Sequence, residues 1–361
     1  MADVRAALAR AVTALERAVD RRVGDHLRQR PGWLVTVVPY VGHGTSSSVH
    51  VRARVVARRR VSRRRSGPAA VLLTGLSHYV SAEVAGETVA ITLAGSQVHA
   101  TSDHEGYVDA TVTVPDLPSG WHPVEFRVGS TEVVTGRVLV VDLQARLGVV
   151  SDIDDTVVHT GLTRVAEAVR TSLLVAEEER RPIAGASELY TALVEADAGR
   201  APVFYVSTGA WNLHTVLERF MSRHRLPVGP MLMTDWGPGG TWLLREDSIA
   251  FKSRTVIGLI DEYPQLRWVL VGDSGQRDPE AYAAVARARP GRLHAIYIRE
   301  VPPQAPARSQ RVRELAGELA GSGTPMLLVR DSVAAAEHAQ SVGLLDGAQV
   351  EAVRRAVQRS P

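Results

Sequence analysis

The chain has 361 residues, with 42 Lys+Arg against 39 Asp+Glu for a net charge of +3, and 45% of it is hydrophobic. That is the balance of an ordinary globular protein long enough for two domains. With no cysteine, disulfides and thiolate metal sites are excluded, and no apolar run approaches the ~20 residues of a membrane-spanning helix. The first residues, MADVRAALAR, lack the apolar core of a secretory leader, so the expected location is the cytoplasm, with peripheral contact to a membrane surface.

Residues 1–30 form the first segment. Val4, Leu8, Val12, Leu15, Val19, Val23 and Leu27 recur at spacings of three and four, the stripe of an amphipathic helix. Such a helix packs on the body of the protein or lies on a membrane. From 31 to 145 the texture is short alternating runs (WLVTVVPYVG, SVHVRARVVA, ETVAITLAG, GYVDATVTVP, HPVEFRVGS, TEVVTGRVLVVD) divided by Gly, Pro, Ser and Asp. This predicts antiparallel strands and a small β-sandwich. Eight arginines lie between Arg52 and Arg65. They read as an Arg-rich, solvated loop, or as a surface for an anionic partner: lipid headgroups before nucleic acid, since few aromatics are interleaved.

From 146 to 361 strand-like runs alternate with helical ones: LGVVSD, ASELYTALVEA, PVFYVS, WNLHTVLERFM, TVIGLIDEY, RWVLVGD, PEAYAAVARARP, LHAIYIRE. Alternation of this kind predicts βαβ units, hence an α/β domain with a parallel sheet. VPPQAPARSQ (301–310) reads as a proline-rich connection, and TPMLLVRDS with two helical stretches follows it.

Three strands end in polar residues. LGVVSD delivers Asp152, PVFYVS delivers Ser207 and Thr208, and RWVLVGDSGQRD delivers Asp273 with Asp278 five residues on. Ligands bind at the carboxyl ends of parallel strands, so these groups aim at one edge. In SDIDDT, Asp152 and Asp154 can face one small volume. One carboxylate attacks phosphorus while the other gives a proton to the leaving oxygen. So much negative charge at a buried strand end asks for a cation. Asp152 and Asp273 with a backbone carbonyl make an oxygen shell suited to Mg²⁺, and Asp154 and Asp278 complete the candidate metal set. Ser207 can donate to a phosphate oxygen, and the following helix start favours an anion. Lys252 is the only lysine among the 42 basic residues. Arginine cannot replace lysine where a compact point charge must fit a tight pocket, so Lys252 is assigned to the nucleophile and the developing charge. Asp155 reads as a turn residue or helix cap. His159, His214 and His224 have no metal-ligand spacing and read as local or surface residues.

Together DIDDT, Ser207, Lys252 and GDSGQRD resemble the four motifs of the haloacid dehalogenase superfamily of phosphatases. The resemblance implies a Rossmann-like parallel sheet, an aspartyl-phosphate on Asp152 and acid/base work by Asp154. SDIDDTVVHTG, YVSTGAWNL, FKSRTVIGLI and VGDSGQRDPEAY narrow it: residues 146–300 look like the catalytic domain of the App1 family of phosphatidate phosphatases. That likeness implies Mg²⁺-dependent conversion of phosphatidate to diacylglycerol and phosphate. STGAWN departs from the family's usual Ser-Asn-Ser-Pro-Trp-Asn pattern at Thr208, Gly209 and Ala210, which puts headgroup choice in question, while Ser207 and the Trp-Asn pair remain; Thr208, Gly209 and Asn212 are the candidate substrate-binding residues. No large cap is visible between the motifs, which suits a phosphate presented on a membrane or a protein. Two alternatives stay open: a phosphatase of phosphoproteins or soluble phosphomonoesters, and a non-catalytic module binding anionic membranes. The intact Asp154 and Lys252 speak against the second, because a binder needs no proton donor.

Overall fold

The computed structural model describes residues 33–59, 82–157, 182–234, 247–301 and 306–359. The helix expected over 1–30, the arginines from Arg60 to Arg65, His159 and the side chain of Asn212 lie outside the described residues. The chain divides into two compact units between Val141 and Asp142. None of the described helices is long and apolar enough to cross a membrane.

The first unit is all strand: β1 (Trp33–Pro39), β2 (Gly42–Gly44), β3 (Ser48–Arg59), β4 (Ala82–Glu83), β5 (Thr88–Leu93), β6 (Ser96–Thr101), β7 (Tyr107–Thr113), β8 (Gly120–Val128) and β9 (Val134–Val140). The sheet runs β1-β3-β2-β9-β8-β5-β6, with β4 and β7 also paired to β3. Every pair is antiparallel except β2 with β9. It turns back on itself through β2, so that β1 meets β8 and β9. The period-two alternation of β3 puts Val49, Val51, Ala53, Val55 and Ala57 into one buried cluster with Val89, Ile91, Phe126 and Val138. The alternating runs thus become strands as expected. β6 has no such run: SQVHAT is half-exposed throughout. It is joined to β5 by Ala94 and Gly95, at φ 49° and 84°, the positive angles that a two-residue hairpin turn needs.

The Arg-rich loop needs correction where it is described. Through Arg59 it is not a loop but strand β3. Arg54 is buried, is ion-paired to Glu83, donates to the Glu105 carbonyl at 2.9 Å and lies 4.5 Å over the Tyr107 ring. Arg52 pairs with Asp109 at 3.6 Å and lies 4.8 Å over the same ring. The alternation that makes the strand also fixes where its arginines point, and these two have internal partners.

The second unit is α/β. Its strands are β10 (Leu147–Ser151), β11 (Val203–Ala210), β12 (Met231–Thr234), β13 (Arg267–Asp273), β14 (Leu293–Arg299) and β15 (Met326–Val329). They form a parallel sheet in the order β12-β11-β10-β13-β14-β15. The helices are α1 (Ala186–Ala196), α2 (His214–Arg223), α3 (Ser248–Glu262), α4 (Asp278–Ala288), α5 (Pro306–Leu319), α6 (Ser332–Ser341) and α7 (Gly347–Arg359). The chain starts in the middle at β10, moves out through β11 to β12, then returns to β13 and continues the other way. Right-handed crossovers therefore set α1 on one face and α4 and α5 on the other. α1 packs with α6 and α7, and α3 and α5 pack with α4. The reversal of direction at β10 opens a crevice at the carboxyl end of the sheet.

β10 is buried throughout, as a central parallel strand must be, and under it Phe204, Tyr263 and Trp268 form a cluster with centroids 5.8–6.4 Å apart. The stretch 301–310 differs from the expected connection, because α5 begins at Pro306. Proline at a helix start loses no internal hydrogen bond there, so it starts the helix instead of ending it.

Candidate active site

The carboxyl ends of β10, β11 and β13, the second turn of α3 and the first turn of α4 deliver the polar groups. Asp152 follows β10, and its N–H still donates to the Val271 carbonyl at 2.9 Å, so the ladder carries it to the edge of the sheet. Asp273 is the last residue of β13 and Asp278 the first of α4. Asp278 does not cap α4: one of its oxygens accepts from the Asp273 N–H at 3.0 Å and the other holds Lys252.

Lys252 sits on the buried stripe of α3 with Val256, Leu259 and Ile260, an apolar position by spacing. Its exposure is 0%, and Nζ donates to Asp152 Oδ1 at 2.7 Å as well as to Asp278. Burial pulls its pKa down, but Asp152 and Asp278 outweigh that and hold it above the ordinary lysine value. Burial, with Asp278 next and Asp273 and Asp154 adding to it, pushes the Asp152 carboxyl well above the usual range against the pull of Lys252. Asp273 is pushed up in the same way, by burial and then by Asp278. One ammonium does not balance this many carboxylates.

The loop after β13 holds Asp273 in one orientation. Its Oδ1 accepts from the N–H groups of Gly275 at 2.6 Å and Gln276 at 2.9 Å. Its Oδ2 is buried with no hydrogen-bond partner among the described residues. Asp152, Asp273 and Asp278 bring ligand oxygens within 4.8 Å of one another. An all-oxygen set with surplus negative charge and an unpartnered buried carboxylate oxygen fits a hard divalent cation.

Asp154 lies outside that group of three. Its Oδ2 accepts from Ser207 Oγ at 3.4 Å, so its carboxylate faces the β11 side of the crevice, while its backbone carbonyl accepts from Gln276 Nε2 at 3.3 Å. Ser207 Oγ also accepts from the Gly209 N–H at 2.9 Å. Thr208 and Gly209 close β11, and their carbonyls accept from Thr234 Oγ1 at 2.8 and 3.2 Å. After β11 a short 3₁₀ turn, Trp211–Leu213, precedes α2. Asp155 is a turn residue with φ 52°, and its carbonyl accepts from Arg299 Nε at 2.8 Å. His214 is buried and stacks on Trp211 at 5.9 Å, and His224 packs on Phe220 at 4.4 Å; both are local structure.

Other residues that hold the site were not singled out by the sequence. Tyr190, on α1, and Ser151 meet at 2.6 Å, and Ser151 Oγ donates to the Asp152 carbonyl at 2.6 Å, so the hydroxyl chain runs from Tyr190 to the backbone of Asp152. Gly272 is required by close approach: a Cβ there would lie 2.6 Å from the Asp278 Cβ. Both lie in stretches already quoted, but nothing local distinguishes a tyrosine in the core from one behind a site.

The fold and the site together define an α/β domain with a carboxylate-rich centre, built around one buried lysine, at the carboxyl end of a parallel sheet. Residues 147–300 match the family model described as phosphatidate phosphatase APP1, catalytic domain. That segment, which contains every carboxylate of the site and Lys252, is similar to the catalytic domain of the App1-type family. It is 29% identical over 153 residues to phosphatidate phosphatase APP1 of Saccharomyces cerevisiae, covering 42% of this chain and 26% of the yeast protein. An uncharacterized protein of Schizosaccharomyces pombe is 28% identical over 155 residues, 43% of this chain and 25% of its own. The match thus spans about a quarter of the length of these curated relatives. Among solved structures, a carbohydrate acetylesterase from Xanthomonas citri aligns over 90% of this chain and 74% of its own at 9% identity and TM-score 0.30, which carries no argument.

Proposed function

We propose that this chain is a Mg²⁺-dependent phosphomonoester hydrolase of the haloacid dehalogenase type, acting on phosphatidate or a related lipid phosphate at an anionic membrane surface. The observation that carries the reading is the buried group of Asp152, Asp273 and Asp278 around Lys252, with Asp273 Oδ2 unpartnered among the described residues. Lys252 holds Asp152 beside it as a positioned carboxylate. Asp152 attacks phosphorus, forming an aspartyl-phosphate as the bond to the leaving oxygen breaks. Asp154, on the Ser207 side, gives its proton to that oxygen and then takes one from the water that hydrolyses the intermediate. Ser207, whose Oγ accepts from the Gly209 N–H, would donate its hydroxyl to a phosphate oxygen. Asp152, Asp273 and Asp278 would hold the cation, which when bound offsets the charge of the carboxylates and the phosphate. The lipid substrate is drawn from the name of the yeast relative and from the arginine block of the sequence.

The test is phosphate release from phosphatidate in mixed micelles, with Mg²⁺ and with chelator, for the wild type and Asp152→Asn. Metal-dependent release that the substitution abolishes is the expected result. Release only from an aryl phosphate, with the same dependence, would keep the chemistry and reject the lipid. Silence on both substrates would reject the enzyme.

A further inference from the structure

Arg308 stands on α5, beyond the segment matched by the family model, yet it grips the loop that presents Asp273. Its Nε donates to the Ser274 carbonyl at 3.0 Å and a second nitrogen to the Gln276 carbonyl. The third nitrogen pairs with Glu280 Oε1, on α4, at 2.7 Å. A guanidinium has this planar fork of donors and an ammonium does not.

The two carbonyls matter because of what the loop does. The Ser274 carbonyl and the Gly275 N–H belong to one peptide unit. Arg308 holds its oxygen, and its N–H donates to Asp273 Oδ1 at 2.6 Å. The Gln276 N–H makes the second bond to that oxygen, at 2.9 Å, and its side chain reaches the Asp154 carbonyl at 3.3 Å. These bonds direct Oδ2 of Asp273 away from the loop, where it is buried without a hydrogen-bond partner among the described residues. Hydrogen bonds in series polarise one another, so a charged donor on the far side of the peptide strengthens the near side.

We propose that Arg308 is a positioning residue for the metal centre: it fixes the Ser274–Gln276 loop so that Asp273 presents Oδ2 to the cation and Gln276 ties that loop to the Asp154 turn. The site is therefore completed by α5, outside the matched catalytic segment. The inference rests on the cation reading proposed above. Partners of this kind behind a metal ligand typically change metal affinity by about 10- to 100-fold.

The test is calorimetric titration of the metal-free full chain with Mg²⁺ and with Mn²⁺, for the wild type, Arg308→Ala and Arg308→Lys, beside phosphate release at saturating metal. Far-UV circular dichroism checks that each is folded. Arg308→Ala is expected to weaken metal binding about tenfold or more, and to lower phosphate release even at saturating metal because the same loop is tied to the Asp154 turn. Arg308→Lys keeps the charge but not the fork and is expected to recover only part of the affinity. If Arg308→Ala does not fold, the lysine variant carries the test alone. Wild-type metal affinity in whichever folded variant is measured overturns the proposal and leaves the proposed function standing. Metal binding by the wild type that Arg308→Ala weakens, without phosphate release from any ester, supports the proposal and rejects the phosphatase. No metal binding by the wild type overturns both.

Discussion

Replacing Lys252 by methionine, a near-isosteric apolar chain, removes the ammonium held among the buried carboxylates. Nζ lies 2.7 Å from Asp152 and also contacts Asp278, and the exposures of Lys252, Asp152, Asp273 and Asp278 are 0, 1, 0 and 0%. Removing one partner of a buried pair costs about 3–5 kcal/mol, because the other charge is left in a medium that cannot solvate it. In a unit of this size each kcal/mol moves the melting temperature by about 2–4 °C, so the second unit should melt roughly 6–20 °C lower. The assay is calorimetric or circular-dichroism melting at pH 7 in chelator, where no cation can compensate. Lys252→Arg is also expected to destabilise, by about 1–3 kcal/mol, because the larger planar group overpacks a closed pocket. A melting temperature for Lys252→Met within about 2 °C of wild type would refute the reasoning, since it would mean that the ammonium offsets no buried charge.

Gly272→Ala places a Cβ 2.6 Å from the Asp278 Cβ, so Asp278 must give up its contacts with Lys252 and the Asp273 N–H. A fall in phosphate release of about 100-fold is expected from a displacement of the order of 1 Å, with about 1–3 kcal/mol lost in urea unfolding; unchanged activity would contradict the assigned geometry. His294, half-buried on β14, has its pKa pushed down to about 4 from 6.5 by burial and then by Arg267. Its folded value is depressed, so the unfolded chain binds the proton more tightly. Stability then falls as pH drops from about 6.5 to about 4 and is level below. The full gap is at most about 3 kcal/mol, and solvent screening of a half-exposed ring reduces it to about 1–2 kcal/mol. Urea unfolding of His294→Gln should show a pH slope shallower by that amount, and parallel curves for the two proteins would refute it.

The sequence alone determined what depends on neighbours along the chain. Alternation every second residue marked β1, β3, β5, β7, β8 and β9, and apolar runs between helical stretches marked β10, β11, β13 and β14, because burial of one face or of both leaves a local signature. Asp152, Ser207 and Asp273 were legible as candidates because each closes such a run, and Lys252 because it is the only lysine in an arginine-rich chain. The tertiary structure decided what depends on distant partners. Lys252 and Asp152 stand 100 positions apart, and only the crossover through α3 puts them 2.7 Å from each other. The polar β6 and the short β12 exist because sheet partners take up their backbone groups, not because of any pattern of their own. Gly272 reads as an ordinary strand glycine until Asp278 is seen against it, and Arg54 as one of a charged run until Glu83 pairs with it. Arg308 lies in a stretch whose prolines announce a connection, and the contacts by which it holds the Asp273 loop are with two carbonyls. A backbone carbonyl is present at every residue, so nothing in the order of side chains could have named these two.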